Sequence, residues 1–244
     1  MKHPAPDPPE LGAREGLSYA LFLPDEDPPA GVVIVHGAGS AKESHFDFAR
    51  MLRSAGLAAL AFDARGHGRS EGEFGPGAFD DVRSMCSLLR EHAPKVALRG
   101  SSMGGFCAIN AAASEGADVA AVVAICPASE DLLLRGLRSG RLDGFRAAPL
   151  EVLELWLESV DTTSAAASLG PETALLLLHA QGDEQVPFTI SQELHEAARD
   201  PKRLLLLPGG HHRSLQHDME LQAVSLRFIQ DAVGVRAVEP RDPR

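Results

Sequence analysis

Short, mainly apolar segments alternate along this chain with longer segments in which apolar residues recur at helical spacing. Apolar runs of this kind are typical of strands that helices cover on both faces. Because strand–helix–strand connections are right-handed and join parallel neighbours, the alternation predicts an α/β fold with a mainly parallel sheet flanked by helices. The predicted strands are residues 16–23, 31–35, 57–62, 95–99, 119–126, 173–179 and 203–207.

The expected domain covers residues 16–234 of the 244-residue chain. This length is ordinary for a single α/β domain. Residues 1–15 begin with a proline-rich stretch without an apolar core, so we expect a disordered leader and no secretory signal. Residues 235–244 are expected to form a tail.

One connection is longer than the others. About 45 residues separate the predicted strands 119–126 and 173–179, which is too many for a simple crossover. Apolar residues at helical spacing over 132–137 and around Trp156 predict two helices there. We expect an insertion at about 128–170 that forms a small helical cap; an ordinary pair of crossover helices is the alternative.

Composition excludes several classes of partner. The net charge of −11 argues against nucleic acid and anionic membrane surfaces. No apolar stretch approaches the roughly 20 residues of a membrane span. Cys86, Cys107 and Cys126 show no C-x-x-C spacing, so buried free thiols in a reducing compartment are expected rather than disulfides. These observations predict a cytoplasmic protein.

A serine pentapeptide follows the predicted strand at 95–99. Residues 100–104 read G-S-S-M-G, which matches G-x-S-x-G, and apolar positions at helical spacing come after it. A serine hydroxyl becomes an effective nucleophile when a sharp strand-to-helix turn presents it beside a general base. We therefore expect Ser102 to be a nucleophile. The alternative is a Gly/Ser turn that only packs the helix closely.

An aspartate follows the predicted strand at 173–179, where residues 180–187 read A-Q-G-D-E-Q-V-P. From this turn the carboxylate of Asp183 can reach a histidine and hold its ring through Nδ1–H. Glu184 is the nearest rival, and an aspartate in a turn can also cap a following helix. We expect Asp183 to be the acid.

Two adjacent histidines, His211 and His212, follow the last predicted strand. A histidine in this loop can act as general base toward the serine and then as general acid toward the leaving group. The chain order serine, aspartate, histidine is the one expected for this architecture. The residues themselves leave open which of the two histidines is the base.

A fourth strand end, residues 36–40, reads H-G-A-G-S. The backbone N–H of Ala38, with that of Met103 after the serine, can stabilise a tetrahedral oxyanion. A phosphate-binding loop is the competing interpretation, but neither G-x-x-x-x-G-K-[ST] nor a full G-x-G-x-x-G occurs. Because no cluster of His, Cys, Asp or Glu has the spacing of metal ligands, we expect neither a metal nor a cofactor.

With these four strand ends the chain resembles the α/β-hydrolases, in particular small esterases and dienelactone-hydrolase-like or acyl-aminopeptidase-like members with a serine nucleophile. Residues 63–70, D-A-R-G-H-G-R-S, are similar to the family segment D-x-R-G-H-G-x-S, which implies that Arg65 and His67 are structural. Residues 209–213 are similar to G-x-x-H-R, which implies that His212 is the base. The insertion has no counterpart, and in such enzymes it largely sets the substrate.

The resemblance implies a serine hydrolase for small to medium carboxylic esters, with a small-molecule ester as its partner. The same residues serve thioesters, amides, peptides or perhydrolysis, so these reactions remain alternatives. A catalytically silent protein that binds a ligand in the same pocket is the further alternative. The sequence makes no prediction of oligomeric state.

Overall fold

The computed structural model describes residues 7–235. Eight strands form one sheet in the order β1-β2-β4-β3-β5-β6-β7-β8. Strands β3 to β8 are parallel, and β1 and β2 are antiparallel to their neighbours. The predicted α/β fold with a mainly parallel sheet is therefore confirmed. The strands are β1 (Glu10–Arg14), β2 (Leu17–Phe22), β3 (Gly31–Val35), β4 (Ala58–Phe62), β5 (Val96–Ser101), β6 (Ala121–Ile125), β7 (Ala174–Ala180) and β8 (Lys202–Leu207).

Helices cover both faces of this sheet, which explains why β3, β4, β5, β6 and β7 are buried along their whole length. Two of them, α1 and α8, pack on one face, whereas α2, α3 and α7 pack on the other. The helices are α1 (Phe46–Ser54), α2 (Ala78–Arg90), α3 (Met103–Ala112), α4 (Glu130–Arg138), α5 (Leu150–Glu158), α6 (Thr162–Ser168), α7 (Thr189–Ala197) and α8 (Met219–Val233). Among residues 7–235, no helix combines the length and the apolar character that crossing a membrane requires.

The first strand corrects the expected leader. β1 pairs with β2 through a two-residue turn, Glu15–Gly16, in which both residues have positive φ, 53° and 78°. Such a turn matches the twist of a hairpin. The range 1–15 is therefore wrong for residues 10–14, which form an edge strand that alternates too weakly to be recognised. Residues 1–6 and 236–244 lie outside the described residues.

The insertion between β6 and β7 contains α4 and α5, close to the two predicted helices, and the unpredicted short helix α6. Its middle is docked onto the loop after β4. Backbone hydrogen bonds join Arg146 to Gly66 and to Phe74, and Ala148 to Phe74, at 2.9–3.0 Å. The Phe145 ring stacks on His67 with centroids 4.2 Å apart. These contacts fix the segment between α4 and α5 beside the carboxyl ends of the strands.

Trp156 anchors the second insertion helix. Its ring lies 5.5 Å from the rings of both Phe74 and Phe79, and 6.2 Å from that of Phe106 in α3. Aromatic pairs at these separations contribute about 0.5–1.5 kcal/mol each beyond the area they bury. The insertion is thus attached to the domain by an aromatic cluster as well as by backbone hydrogen bonds.

Candidate active site

Ser102 lies at a sharp turn between β5 and α3. Its backbone has φ 54° and ψ −121°, a conformation that costs a non-glycine residue free energy and that is typical of functional sites. The turn is possible because its neighbours are glycines. A Cβ on Gly100 would overlap the Gly104 carbonyl, and a Cβ on Gly104 would overlap the Val35 carbonyl. This geometry is that of a nucleophile elbow.

Two cavities meet at Ser102. The smaller, of about 240 Å³, is also lined by Ala38 and His212, and the larger, of about 400 Å³, by Leu132 and residues that follow it in the insertion. Leu142 and Gln185, like Ser102, line both cavities. Larger cavities exist elsewhere on the surface, but they contain none of the predicted site residues.

His212 is paired with Asp183. Its Nδ1 donates to Asp183 Oδ2 at 2.7 Å, while Oδ1 accepts the backbone N–H groups of Gln185 and Val186 at 2.8 Å each. Burial of the carboxylate would raise the pKa of Asp183, but hydrogen bonds from His179, His212 and these amides outweigh it and hold that pKa well below its usual range. Asp183 is therefore ionised at every physiological pH.

The structure distinguishes His212 from its neighbour His211, and Asp183 from its neighbour Glu184. The His211 ring accepts the backbone N–H of Arg213 at 3.3 Å and has no contact with Asp183. Glu184 Oε2 accepts the backbone N–H of His212 at 3.2 Å rather than its ring. The geometry thus joins His212 with Asp183 and gives Glu184 a supporting position.

The loops that carry the acid and the histidine are joined to each other. Beyond β7 and β8, Gln181 N–H donates to the Leu207 carbonyl at 2.9 Å and Gly182 N–H to the Gly209 carbonyl at 3.0 Å. A Cβ on Gly182 would clash with the backbone of Gly210. The sheet pairing therefore continues into the loops and fixes their relative position.

Ser102 and His212 face the same small cavity, but no hydrogen bond joins them in the described part of the chain. Such contacts often tighten only when substrate is bound. The space between the two side chains lies where a substrate carbonyl and its leaving group would have to lie.

Of the two expected oxyanion donors, Ala38 lines the smaller cavity and Met103 directly follows Ser102 in the chain. Met103 N–H lies in the first turn of α3, where backbone donors have no partner within the helix. Ala38 lines the smaller cavity with Ser102. A Cβ on the preceding Gly37 would lie 3.3 Å from Ser102 Cβ, so the loop backbone runs directly against the serine. The loop of Ala38 and the first residue of α3 therefore both lie next to Ser102.

Arg65 and His67, in the segment 63–70, have the structural role that the resemblance implies. Arg65 Nε pairs with Asp81 at 2.9 Å, and the His67 ring lies between the domain and the insertion. Lys42 Nζ forms an ion pair with Asp63 Oδ2 at 2.6 Å, and both side chains are buried. This ion pair ties the segment to the loop that carries Ala38.

His36 supports that loop from below. Its Nδ1 donates to the Gly37 carbonyl at 2.8 Å and its Nε2 accepts Ala64 N–H at 3.0 Å, which defines one neutral tautomer. Burial lowers the pKa of His36 to about 4. The imidazole therefore stays neutral and acts as a bridge between two loops.

Sequence reasoning predicted a buried Cys126 and a supporting place for His179 near the site, but not that the two meet behind Asp183. Cys126, His179 and Asp183 have potential ligand atoms within 4.8 Å of one another, although Cys126 follows β6 and the other two belong to the end of β7. Both ring nitrogens of His179 have hydrogen-bond partners: Nδ1 bonds to Ser191 Oγ at 2.6 Å, and Nε2 to the Val186 carbonyl at 3.0 Å. His179 thus supports the turn that holds Asp183. All three cysteines are buried and free, as predicted.

Arg99 was also missed. It lies in β5 directly before the elbow, is 1% exposed, and places its guanidinium 4.1 Å from the centroid of the Phe48 ring. Burial lowers the pKa of Arg99 to about 10, so the side chain remains charged at neutral pH. An arginine in the middle of an otherwise apolar strand was the available signal.

Known proteins are similar in sequence to the part of the chain that contains Ser102. A family model described as Hydrolase_4: serine aminopeptidase, S33, matches residues 26–137, which include the loop of Ala38 and the elbow. The protein YfhR of Escherichia coli O157:H7, described as uncharacterized, is 27% identical over 222 residues, 83% of this chain and 72% of its own. Human monoglyceride lipase is 32% identical over 177 residues, 69% of this chain and 54% of its own.

Among solved structures, Est1E from Butyrivibrio proteoclasticus with bound ferulic acid is similar with a TM-score of 0.72. The sequences are 19% identical, and the likeness covers 91% of this chain and 96% of Est1E. At this identity the likeness shows the fold alone. Fold and matched sequence agree: the chain has the α/β-hydrolase fold, and its residues 26–137 match the Hydrolase_4 family model.

Proposed function

We propose that this protein is a cofactor-independent serine hydrolase that cleaves small to medium carboxylic esters. The observation that carries the proposal is the backbone of Ser102, held at φ 54° at a strand-to-helix turn and facing the same cavity as His212. A strained serine opposite a histidine oriented by a buried carboxylate is the arrangement that nucleophilic catalysis requires.

In the first half of the reaction, Ser102 Oγ attacks the acyl carbon while His212 Nε2 accepts its proton. Asp183, bound to Nδ1, keeps the ring in the correct tautomer and stabilises the imidazolium. The N–H groups of Ala38 and Met103 stabilise the oxyanion. His212 then gives its proton to the departing alcohol, which leaves an acyl group on Ser102.

In the second half, His212 takes a proton from water, and the resulting hydroxide attacks the acyl carbon. The bond to Ser102 Oγ breaks, the serine regains its proton, and the carboxylic acid is released. Loss of one oxyanion donor costs about 10²–10³ in kcat in comparable enzymes. Because both donors are backbone groups, this contribution depends on the loop positions that Gly37 and the elbow fix.

One relative, named a monoglyceride lipase, supports ester hydrolysis as a class. Hydrolysis of amides is a second candidate, because the matched family model is described as a serine aminopeptidase. An aminopeptidase must accept a cationic amino terminus, whereas Arg135 and Arg141 line the larger cavity. Esters therefore fit this site better than peptides.

A covalent probe tests the proposal. A fluorophosphonate should label the wild-type protein at Ser102, and Ser102→Ala should abolish labelling and lower hydrolysis of 4-nitrophenyl butyrate at least ~10³-fold. Ser101→Ala, at the neighbouring buried serine, serves as the control and should retain labelling. A protein that is folded but unlabelled would instead be a catalytically silent ligand-binding protein. Parallel assays with thioester and aminoacyl-anilide substrates test the alternative reactions.

A further inference from the structure

The larger cavity at Ser102 combines apolar walls with positive charge. Leu132, Leu133 and Leu142 form part of its wall, and Arg135 and Arg141 line it from the insertion. In the whole chain, acidic residues outnumber basic ones by 34 to 23, so two arginines at one cavity reverse the local sign of charge. A cavity of this kind suits an apolar chain that carries an anion.

These two arginines are free to bind a ligand. Within residues 7–235, neither Arg135 nor Arg141 forms an ion pair or a side-chain hydrogen bond. Arg138, on the same helix as Arg135, differs: it is bound to Glu154 at 2.6 Å and to Glu158 at 3.4 Å. Carboxylates of α5 therefore neutralise Arg138, whereas Arg135 on the same helix α4 has no such partner within residues 7–235.

The position of His212 decides which part of an ester enters which cavity. His212 lines the smaller cavity and is absent from the wall of the larger one. Since the histidine must protonate the leaving oxygen, the alcohol part belongs in the smaller cavity. The larger cavity, which Ser102 also lines, is left for the acyl part.

We infer that the preferred substrates are esters whose acyl chain ends in a carboxylate, that is, monoesters of dicarboxylic acids. The inference rests on the proposed function. Arg135 and Arg141 bind the distal carboxylate, and Leu132 and Leu142 contact the methylene groups. Hydrolysis consumes one water and releases a free dicarboxylic acid and an alcohol, with the acyl group carried in between on Ser102.

One acidic residue, Glu184, also lines the larger cavity. Its carboxylate is already engaged, because Oε2 accepts His212 N–H and Oε1 accepts the Gln185 side-chain amide, each at 3.2 Å. These bonds hold Glu184 on the wall formed by the Asp183 turn, whereas both arginines belong to the insertion. The two charges of the arginines exceed the single opposing charge of Glu184.

A pair of substrates with one leaving group tests the inference. Mono-4-nitrophenyl adipate carries a distal carboxylate, and 4-nitrophenyl heptanoate has an alkyl end of similar length. After subtraction of the enzyme-free rate, kcat/KM for the adipate should exceed that for the heptanoate. The preference should weaken as salt rises from low ionic strength to about 0.5 M, because exposed charges are then screened.

The decisive measurement is the ratio of the two kcat/KM values in variants. We expect the ratio to fall about tenfold in Arg135→Gln/Arg141→Gln, as two exposed charges are removed. The matched control Arg138→Gln should keep the wild-type ratio. An unchanged ratio in the double variant overturns the inference, as does a wild-type preference for the heptanoate.

Two further results separate this inference from the proposed function. If both esters are cleaved in a manner that depends on Ser102 but without preference for the anion, the serine hydrolase stands and the substrate class is wrong. If 4-(butyryloxy)benzoate, whose anion is in the alcohol part, is preferred instead, the assignment of the cavities is wrong. If neither ester is cleaved and Ser102 is unlabelled by a fluorophosphonate, the proposed function fails as well.

Discussion

Arg99 Nη2 donates a hydrogen bond of 3.0 Å to the backbone carbonyl of Gln216, in the loop that follows His212. The bond connects the strand that leads into the elbow with the loop that carries the candidate base. The Gln222 side chain also donates to this carbonyl, at 3.1 Å. The guanidinium is fully buried, so its interaction with the loop is protected from water.

Replacement of this arginine should separate activity from stability. Arg99→Met removes a buried charge, and such replacements by an apolar residue are often neutral for folding. We expect the free energy of unfolding to change by less than about 2 kcal/mol, whereas kcat should fall at least ~10-fold because the loop of His212 loses an anchor. Urea unfolding and ester hydrolysis measure the two effects. An unchanged kcat would show that Gln222 holds the loop alone.

The two neighbouring histidines should differ sharply. His212→Ala removes the ring that contacts Asp183, so hydrolysis should fall ~10³–10⁴-fold or more. His211→Ala, the matched control, removes an exposed ring without such a contact, and we expect less than about a tenfold change. Steady-state rates on 4-nitrophenyl butyrate decide between them. The reverse order of effects would move the base by one residue.

Stability should decrease in mild acid because of buried neutral histidines. The native pKa of His36 is lowered to about 4, mainly by burial, whereas the unfolded pKa is about 6.5. Below pH 6.5 the unfolded chain binds a proton that the native protein does not bind until about pH 4. Stability from this group is therefore complete above pH 6.5 and decreases by roughly 1.4 kcal/mol per pH unit toward pH 4.

Burial lowers the pKa of His45 in the same direction, so it adds to the slope. Urea titrations at pH 7, 6 and 5 measure the effect. In His36→Gln the side-chain oxygen can still accept Ala64 N–H but cannot titrate, so the dependence on pH should be shallower by the contribution of one group. A slope identical to that of the wild type would contradict the assignment.

One methyl group added at Gly66 should disturb the contact between the insertion and the loop after β4. Gly66 has φ 78°, and a Cβ there would overlap the Arg146 carbonyl. Gly140 has a similar φ of 67° with nothing within 4 Å, so Gly140→Ala measures the backbone cost alone, about 1–2 kcal/mol. Gly66→Ala should cost at least ~2 kcal/mol more and raise KM, because the clash displaces a segment beside the larger cavity. Equal losses in both variants would show that the insertion adjusts freely.

Local pattern was sufficient to predict the parallel sheet, because each central strand is an apolar run covered on both faces. It was also sufficient to place Ser102, Asp183 and His212 at strand ends that the fold brings to one edge. Whether these three residues act together stays a prediction. Strand β1 escaped recognition because an edge strand is half exposed and its hairpin depends on two backbone conformations rather than on hydrophobic residues.

The support of the site could not be predicted, because it depends on which strands are neighbours. Cys126 and His179 are distant in sequence and meet only because β6 and β7 are adjacent. The contacts of Arg99 exist only because α1 and the loop after β8 cover it in the folded chain. Sequence spacing carries no information on such contacts, whereas the sheet order determines them.

The pairing that continues from β7 and β8 into the loops of Asp183 and His212 has a consequence for partial denaturation. β8 is the edge strand and is only partly buried, whereas the strand that leads to Ser102 is central. Edges open at lower free energy than the middle of a sheet, so a sub-global opening of β8 would release the loop of His212 and break the hydrogen bonds that join it to the loop of Asp183. On gentle heating, turnover should then disappear while circular dichroism still reports a largely intact helical signal. Ser102 would then keep its position at the end of β5 after the loop of His212 has moved away.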